Sequence, residues 1–158
     1  MGWYELTKAN ISEQTLLQYW AKEEDFSKVN PKKSKILISA ASYCYLDMKY
    51  DSITNLGLSW AGYLPIKKAY EWDPRNLVEK FDSKQIIGLE APLWSETIEN
   101  FDDISYMAFP RIIGYAEIGW TSHIQRDWKD YSNRLSFHGP LLESLKLKYY
   151  PANEIDWK

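Results

Sequence analysis

Lys35-Ile36-Leu37-Ile38-Ser39-Ala40-Ala41 carries the clearest strand signal in the sequence, and it decides the fold class. Apolar residues fill both parities of the run, so neither face is reserved for water; such a strand belongs to a parallel sheet covered on both sides. Asn30-Pro31-Lys32-Lys33-Ser34 bounds it upstream. A second run of the same kind is Gln85-Ile86-Ile87-Gly88-Leu89-Glu90-Ala91, and Thr15-Leu16-Leu17-Gln18-Tyr19-Trp20 is a third, weaker one. Met1 to Trp3 read as the end of a further strand rather than the start of a domain. Between the strong runs lie helix-compatible pieces, Pro65 to Trp72 and Pro74 to Lys80, the latter with Asp73 as N-cap and Pro74 at the first helical position. Asp102-Asp103 opens a helical segment to Trp120 in which Ile104, Met107, Ala108, Ile112, Tyr115, Ala116 and Gly119 recur at three and four, with a kink or break expected at Pro110. From Gln125 another helix passes Trp128, Tyr131 and Leu135, and His138-Gly139-Pro140 is expected to interrupt it before Leu141 to Lys148. The order is that of an α/β protein with a helical tail.

Composition narrows the function classes. The 158 residues are 16% aromatic and include eight tryptophans, while 19 Lys+Arg against 22 Asp+Glu leave a net charge of −3. No basic run or basic-aromatic stripe suits a phosphate backbone, so nucleic acid is not an expected partner. The longest apolar stretches are a handful of residues, far short of the roughly 20 that a membrane helix needs, so no membrane association is expected. The single Cys44 leaves no internal disulfide and no multi-cysteine metal site, and neither a metal nor a cofactor is expected. Met1-Gly2-Trp3 lacks the basic and apolar regions of a signal peptide, which leaves the compartment open.

In parallel α/β folds the functional groups gather at the carboxyl ends of strands. Three clusters stand there: Tyr43-Cys44-Tyr45-Leu46-Asp47, Leu93-Trp94-Ser95-Glu96, and Tyr19-Trp20. In extended chain, alternation puts Tyr45 and Asp47 on one face, and likewise Trp94 and Glu96. Each pair joins a ring to a carboxylate. A carboxylate accepts hydrogen bonds from hydroxyls and a ring packs on the apolar face of a pyranose, which together are the requirements of a carbohydrate pocket. The same residues also fit plainer roles, the rings as core and Glu96, just before Thr97, as the start of a helix.

Longer motifs carry a family resemblance. Gly88-Leu89-Glu90-Ala91-Pro92-Leu93-Trp94-Ser95-Glu96-Thr97, followed by Phe109-Pro110-Arg111 and Ala116-Glu117-Ile118-Gly119-Trp120, resembles the last strand and helix of the β-N-acetylhexosaminidases of glycoside hydrolase family 20. Tyr45-Leu46-Asp47 is similar to that family's motif after the seventh strand, Gly2-Trp3-x-Glu5 to the end of the fifth, and Gln18-Tyr19-Trp20 to the end of the sixth. Trp60-Ala61-Gly62-Tyr63 and Tyr70-Glu71-Trp72-Asp73-Pro74 fit the long loop after strand seven.

The resemblance implies the C-terminal half of a TIM-type (β/α)₈ barrel, about strands 5/6 to 8 with the closing helices, over residues 1–120, with residues 121–158 a helical tail of the same partial domain. It implies retaining, substrate-assisted removal of terminal β-linked N-acetylglucosamine or N-acetylgalactosamine, in which the sugar's own acetamido oxygen attacks the anomeric carbon. Trp3, Trp20 and Trp94 would wall the acetamido group, Tyr45 would hold its oxygen, and Asp47 and Glu96 would bind hydroxyls at the far side of the sugar. Arg111 and Glu117 would tie the last helix to the barrel. Trp60 and Trp72 fall to the loop, and Trp120, Trp128 and Trp157 to packing. The family's catalytic Asp-Glu pair, from a His-x-Gly-Gly-Asp-Glu motif after the fourth strand, has no counterpart in these residues, so the chain by itself is expected to be inactive. Pairing with the preceding barrel half, or self-association, would cover the open sheet edges. A non-catalytic carbohydrate-binding or degenerate chain is the other reading. The family is often exported or lysosomal.

Overall fold

The computed structural model describes residues 1–21, 33–77 and 81–158. The boundary expected at Asn30 to Lys32, and residues 78–80 of the expected Pro74 helix, lie outside them. Four strands form one sheet: β1 (Gly2–Trp3), β2 (Leu16–Tyr19), β3 (Lys35–Ile38) and β4 (Ile86–Leu89). They pair in chain order, β1-β2-β3-β4, and every pairing is parallel. The Thr15 run is as much a strand as its stronger neighbours, with Leu17 and Tyr19 each 1% exposed. Backbone bonds prolong the ladder past the strand ends, from Ser39 N to Tyr19 O (2.8 Å) and from Glu90 N to Ile38 O (2.8 Å). Those ends are thereby held in register where the clustered polar residues begin.

Helices cover one face. In chain order they are α1 (Ala41–Cys44), α2 (Ile66–Glu71), α3 (Phe101–Ala108), α4 (Arg111–Trp120), α5 (Trp128–Ser136) and α6 (His138–Ser144). Ile36 and Ile38 of β3 are buried against the helical layer with Cys44, Ile66, Tyr115 and Ile118. The α2 and α5 helices meet through Tyr70 and Tyr131, stacked at 3.9 Å and 8°. Glu117 of α4 joins both, accepting from Tyr70 Oη at 2.6 Å and from two Arg134 nitrogens at 2.8 Å each.

Several local expectations are corrected. Residues 74–77 form a turn rather than a helix: Asp73 accepts from Arg75 N (3.0 Å) and Asn76 Nδ2 (3.1 Å), satisfying the chain locally. The segment from Asp102 to Trp120, by contrast, breaks at Pro110 as expected: two helices are separated at Phe109-Pro110, whose peptide bond is cis. The α3 helix begins at an Asn100 cap, with Asp103 N donating to its side chain at 3.0 Å. His138-Gly139-Pro140 does not precede a helix but starts one, because proline in a first turn forfeits no intrahelical bond. Trp120, expected to pack, is 93% exposed at the end of α4.

The deepest polar group is Arg111, 1% exposed. Its guanidinium donates to four carbonyls, Leu46 (2.6 Å), Met48 (2.7 Å), Leu64 (3.1 Å) and Met107 (2.7 Å), and lies 3.7 Å over the Tyr50 ring. Arg111→Lys keeps the charge but loses the planar fork, and its three ammonium donors leave at least one of the four buried carbonyls unserved. The expected loss is about 3 kcal/mol of unfolding free energy, at about 1–3 kcal/mol for each unsatisfied group. Urea denaturation of the two chains measures it, and an unchanged midpoint would refute the clamp.

Candidate functional site

Beyond the strand ends lies a cavity of about 510 Å³ lined by Trp3, Glu5, Trp20, Tyr45, Asp47, Trp60, Trp94 and Glu96. All six residues singled out from the sequence, Trp3, Trp20, Tyr45, Asp47, Trp94 and Glu96, are therefore together at one place. Trp3 ends β1, Trp20 follows β2, and Trp94 and Glu96 follow β4. Tyr45 and Asp47 reach it differently from the extended-chain expectation. They follow the short α1 helix in a turn closed by Met48 N to Tyr45 O (3.1 Å), so the turn, not strand alternation, aims both side chains.

Two lining residues were named in the motifs but not assigned to the site. Glu5 sits on the 3-10 turn Tyr4–Lys8 just after β1, and both its carboxylate oxygens accept from the Trp20 indole N–H (3.1 and 3.3 Å). Its position two residues after Trp3 was the available signal. Trp60 arrives from a loop that folds back on the Tyr45 turn: Leu58 N donates to Asp47 O, and Lys49 N to Leu58 O, both at 2.8 Å. Gly57 permits this return. Its φ is +91°, and a Cβ there would lie 2.5 Å from Asp47 O. No local pattern announces such a fold-back, because the pairing partners are nine and eleven residues apart and irregular.

The rings form an arc. Trp3 meets Trp94 (6.2 Å between centroids), Trp94 meets Tyr45 (6.2 Å), Tyr45 meets Trp60 (5.9 Å) and Trp60 meets Trp20 (6.4 Å). Trp3, Trp60 and Trp94 remain 41–42% exposed, with flat surface turned to the opening. Tyr45 is 4% exposed, and burial, offset by a hydrogen bond from the Trp94 side chain, pushes its phenol up to about 12. It is therefore a neutral hydroxyl at physiological pH, able to donate to a ligand oxygen.

Three carboxylates, Glu5, Asp47 and Glu96, share the cavity with these rings. Asp47 is 2% exposed and its Oδ1 is buried without a hydrogen-bond partner. Desolvation raises its pKa to about 6; its own amide and that of Trp94 work against the shift, and Glu96 adds to it by repulsion. The arrangement, rings to cover an apolar ring face and acceptors beside a phenol donor, suits a small polyhydroxylated ligand.

Comparison with known proteins gives the lineage. Residues 1–123 match the family described as glycosyl hydrolase family 20, catalytic domain. The chain belongs to glycosyl hydrolase family 20. It is 34% identical over 160 residues to a β-N-acetylhexosaminidase from Cellulomonas fimi, covering 99% of this chain and 32% of that protein. It superposes with a TM-score of 0.94, at 36% identity, on the family 20 β-N-acetylhexosaminidase of Streptomyces coelicolor, covering 99% of this chain and 33% of the other. A mutant β-hexosaminidase from Streptomyces plicatus, solved with its product GlcNAc, gives 0.89 at 36% identity, with 99% and 33% covered. The chain thus spans about a third of the length of these relatives, and its four parallel strands with their helices are a C-terminal portion of the family's (β/α)₈ barrel.

The raised Asp47 pKa makes stability depend on pH. Below about pH 4 the carboxyl is protonated whether the chain is folded or not; as pH rises through about 6 the folded chain must ionise it at a burial cost that the unfolded chain escapes. Asp47→Asn is therefore expected to stabilise the protein at pH 7 to 8 by about 1–2 kcal/mol, allowing for water at the cavity mouth, and by progressively less towards pH 4. Melting temperatures of both chains across that range decide it; a pH-independent difference would show that the carboxyl does not carry the shift.

Proposed function

We propose that this chain supplies the sugar-binding half of a retaining, substrate-assisted β-N-acetylhexosaminidase acting on terminal β-linked N-acetylglucosamine or N-acetylgalactosamine. The observation that carries the reading is the convergence of Trp3, Trp20 and Trp94 with Tyr45 in one cavity at the strand ends. In this reading the three indoles enclose the acetamido group, whose methyl is apolar on every side. The Tyr45 hydroxyl donates to the acetamido oxygen and holds it against the anomeric carbon, a positioning role that converts an encounter into an intramolecular attack. Asp47 and Glu96 accept hydrogen bonds from hydroxyls at the far side of the ring. Trp60, opposite Trp20, closes the wall.

The leaving oxygen needs a proton donor, and the acetamido nitrogen a polarising partner. In the family these are the Asp-Glu pair of a motif with no counterpart in the 158 residues. Absence of the general acid alone removes a factor of roughly 10² to 10⁴ in rate. The isolated chain is thus proposed to bind without hydrolysing, and to act as an enzyme only with the preceding barrel half. Among the described residues the outer strands β1 and β4 each have a single neighbour, edges that the preceding half or a second copy of the chain would cover.

Binding is read from tryptophan emission. N-acetylglucosamine is expected to change the fluorescence saturably, Trp94→Ala to weaken binding about tenfold by removing a ring wall, and Tyr45→Phe about fivefold by removing one hydrogen bond. No release of aryl alcohol from an aryl N-acetylglucosaminide is expected from the isolated chain. Turnover by a sample free of contaminating hexosaminidase, or a Tyr45→Phe chain that binds unchanged, would overturn the assignment.

A further inference from the structure

Three loops carry lining residues beyond β3 and β4: the turn of Tyr45 and Asp47, the loop of Trp60, and the loop after β4 with Trp94 and Glu96. Backbone joins the turn to each of the other two, through Leu46 N to Pro92 O and Leu58 N to Asp47 O, both at 2.8 Å. The join between those two is made by a side chain instead. Gly57, just ahead of Trp60 in the chain, donates its amide to the Thr97 hydroxyl at 2.8 Å, and Thr97 directly follows Glu96. Thr97 stands behind the lining rather than in it, so it can act on a ligand only through its neighbours. Both ends of this bond are held. Gly57 is buried, with φ at +91° and no room for a Cβ beside Asp47 O, so its backbone cannot turn the amide elsewhere without undoing the fold-back. Thr97 lies in a turn closed by Ile98 N to Ser95 O (3.1 Å), and the capped start of α3 follows at Asn100. A buried amide that loses its acceptor stays unpaired or moves to find water. Movement at Gly57 carries Trp60 away from Glu96.

We infer that Thr97 is a positioning residue for sugar recognition: its hydroxyl ties the loop of Trp60 to the loop of Glu96, so that ring wall and hydroxyl acceptor meet one sugar at a fixed spacing. The inference rests on the reading proposed above, in which Trp60 closes the wall and Glu96 accepts from a hydroxyl. Hydrogen bonds to sugar hydroxyls are directional and need their acceptor held to within about 0.5 Å, which an untied loop does not provide. The acetamido end is reached by other supports. Trp3 ends β1, and its ring meets Trp94 rather than the Trp60 loop. Loss of the Thr97 tie therefore acts on one end of the ligand and spares the other.

The test compares Thr97→Val, which keeps the shape and removes the acceptor, with Thr97→Ser, which keeps the hydroxyl. Calorimetric titration with N-acetylglucosamine is expected to show about fivefold weaker binding for Thr97→Val and a return to within about twofold for Thr97→Ser. Double-mutant cycles separate positioning from general loosening. Glu96→Gln and Trp60→Ala should each cost at least about threefold less in the Thr97→Val chain than in the unsubstituted one, whereas Trp3→Ala should cost the same in both. Amide exchange without ligand checks the tie itself: Gly57 should be protected in the unsubstituted chain and exchange at least about tenfold faster in Thr97→Val. A Gly57 amide that exchanges freely in the unsubstituted chain overturns the tie with no substitution made. If N-acetylglucosamine binds and Glu96 and Trp60 are as additive with Thr97 as Trp3 is, the positioning role falls while the acetamido reading stands. If the unsubstituted chain does not bind N-acetylglucosamine, both fall.

Discussion

A guanidinium buried among irregular backbone is the constraint on which the site depends. Arg111 has no carboxylate partner at hydrogen-bond distance among the described residues; it meets the carbonyls of Leu46, Met48, Leu64 and Met107 instead. Each side gains from this. The buried charge is held by the four bonds from NH1 and NH2, Nε alone lacking a partner, and the carbonyls of Leu46, Met48 and Leu64, in a loop that is neither helix nor strand, have no ladder to use them. Leu46 and Met48 flank Asp47, so fixing their carbonyls fixes the turn that aims Tyr45 and Asp47 at the cavity. Leu64 closes the same loop that carries Trp60. One side chain thus sets the position of three lining residues while touching none of the ligand space.

Beyond the residues that match the family, the chain supports this clamp from behind. The Tyr50 ring under Arg111 is itself stacked on Tyr150, 4.1 Å and 10° away, and Tyr150 N donates to Phe109 O at 3.0 Å. Glu154 accepts from the first amides of α2, Ile66 N at 2.8 Å and Lys67 N at 3.3 Å, supplying from a distance the cap that Pro65 cannot. The last residues therefore do more than the sequence suggested, where they read as a helical tail. Such contacts have no periodicity: they join positions about 40 to 100 residues apart, and only the folded chain brings them together.

What was legible in the sequence follows the same division. The strands were readable because burial on both faces writes itself as a continuous apolar run, and residues at strand ends were readable because parallel topology sends all of them to one side. Trp3, Trp20 and Trp94 depend on that rule alone, and they converge. Tyr45 and Asp47 reach the same cavity by another route, a helical turn where extended chain was expected. Trp60 and Glu5 were visible as residues but not as lining, since their placement depends on a fold-back at Gly57 and on the Tyr4–Lys8 turn. Trp120 shows the limit from the other side: its helical spacing fits packing, yet it ends α4 exposed.

The cavity joins two kinds of surface with opposite demands on solvent. The arc from Trp3 to Trp20 is apolar and preorganised, each ring held by the next, so a ligand that covers it gains buried area without ordering loose side chains. The carboxylates beneath resist the same covering, because excluding water raises the cost of their charge. A ligand that occludes the rings must therefore also supply donors to Asp47 and Glu96. Apolar compounds satisfy the first requirement and fail the second, whereas a sugar satisfies both at once. On the proposed reading, selectivity arises from this coupling rather than from any single contact, and Asp47 enforces it most strongly because it is the carboxylate with least water of its own.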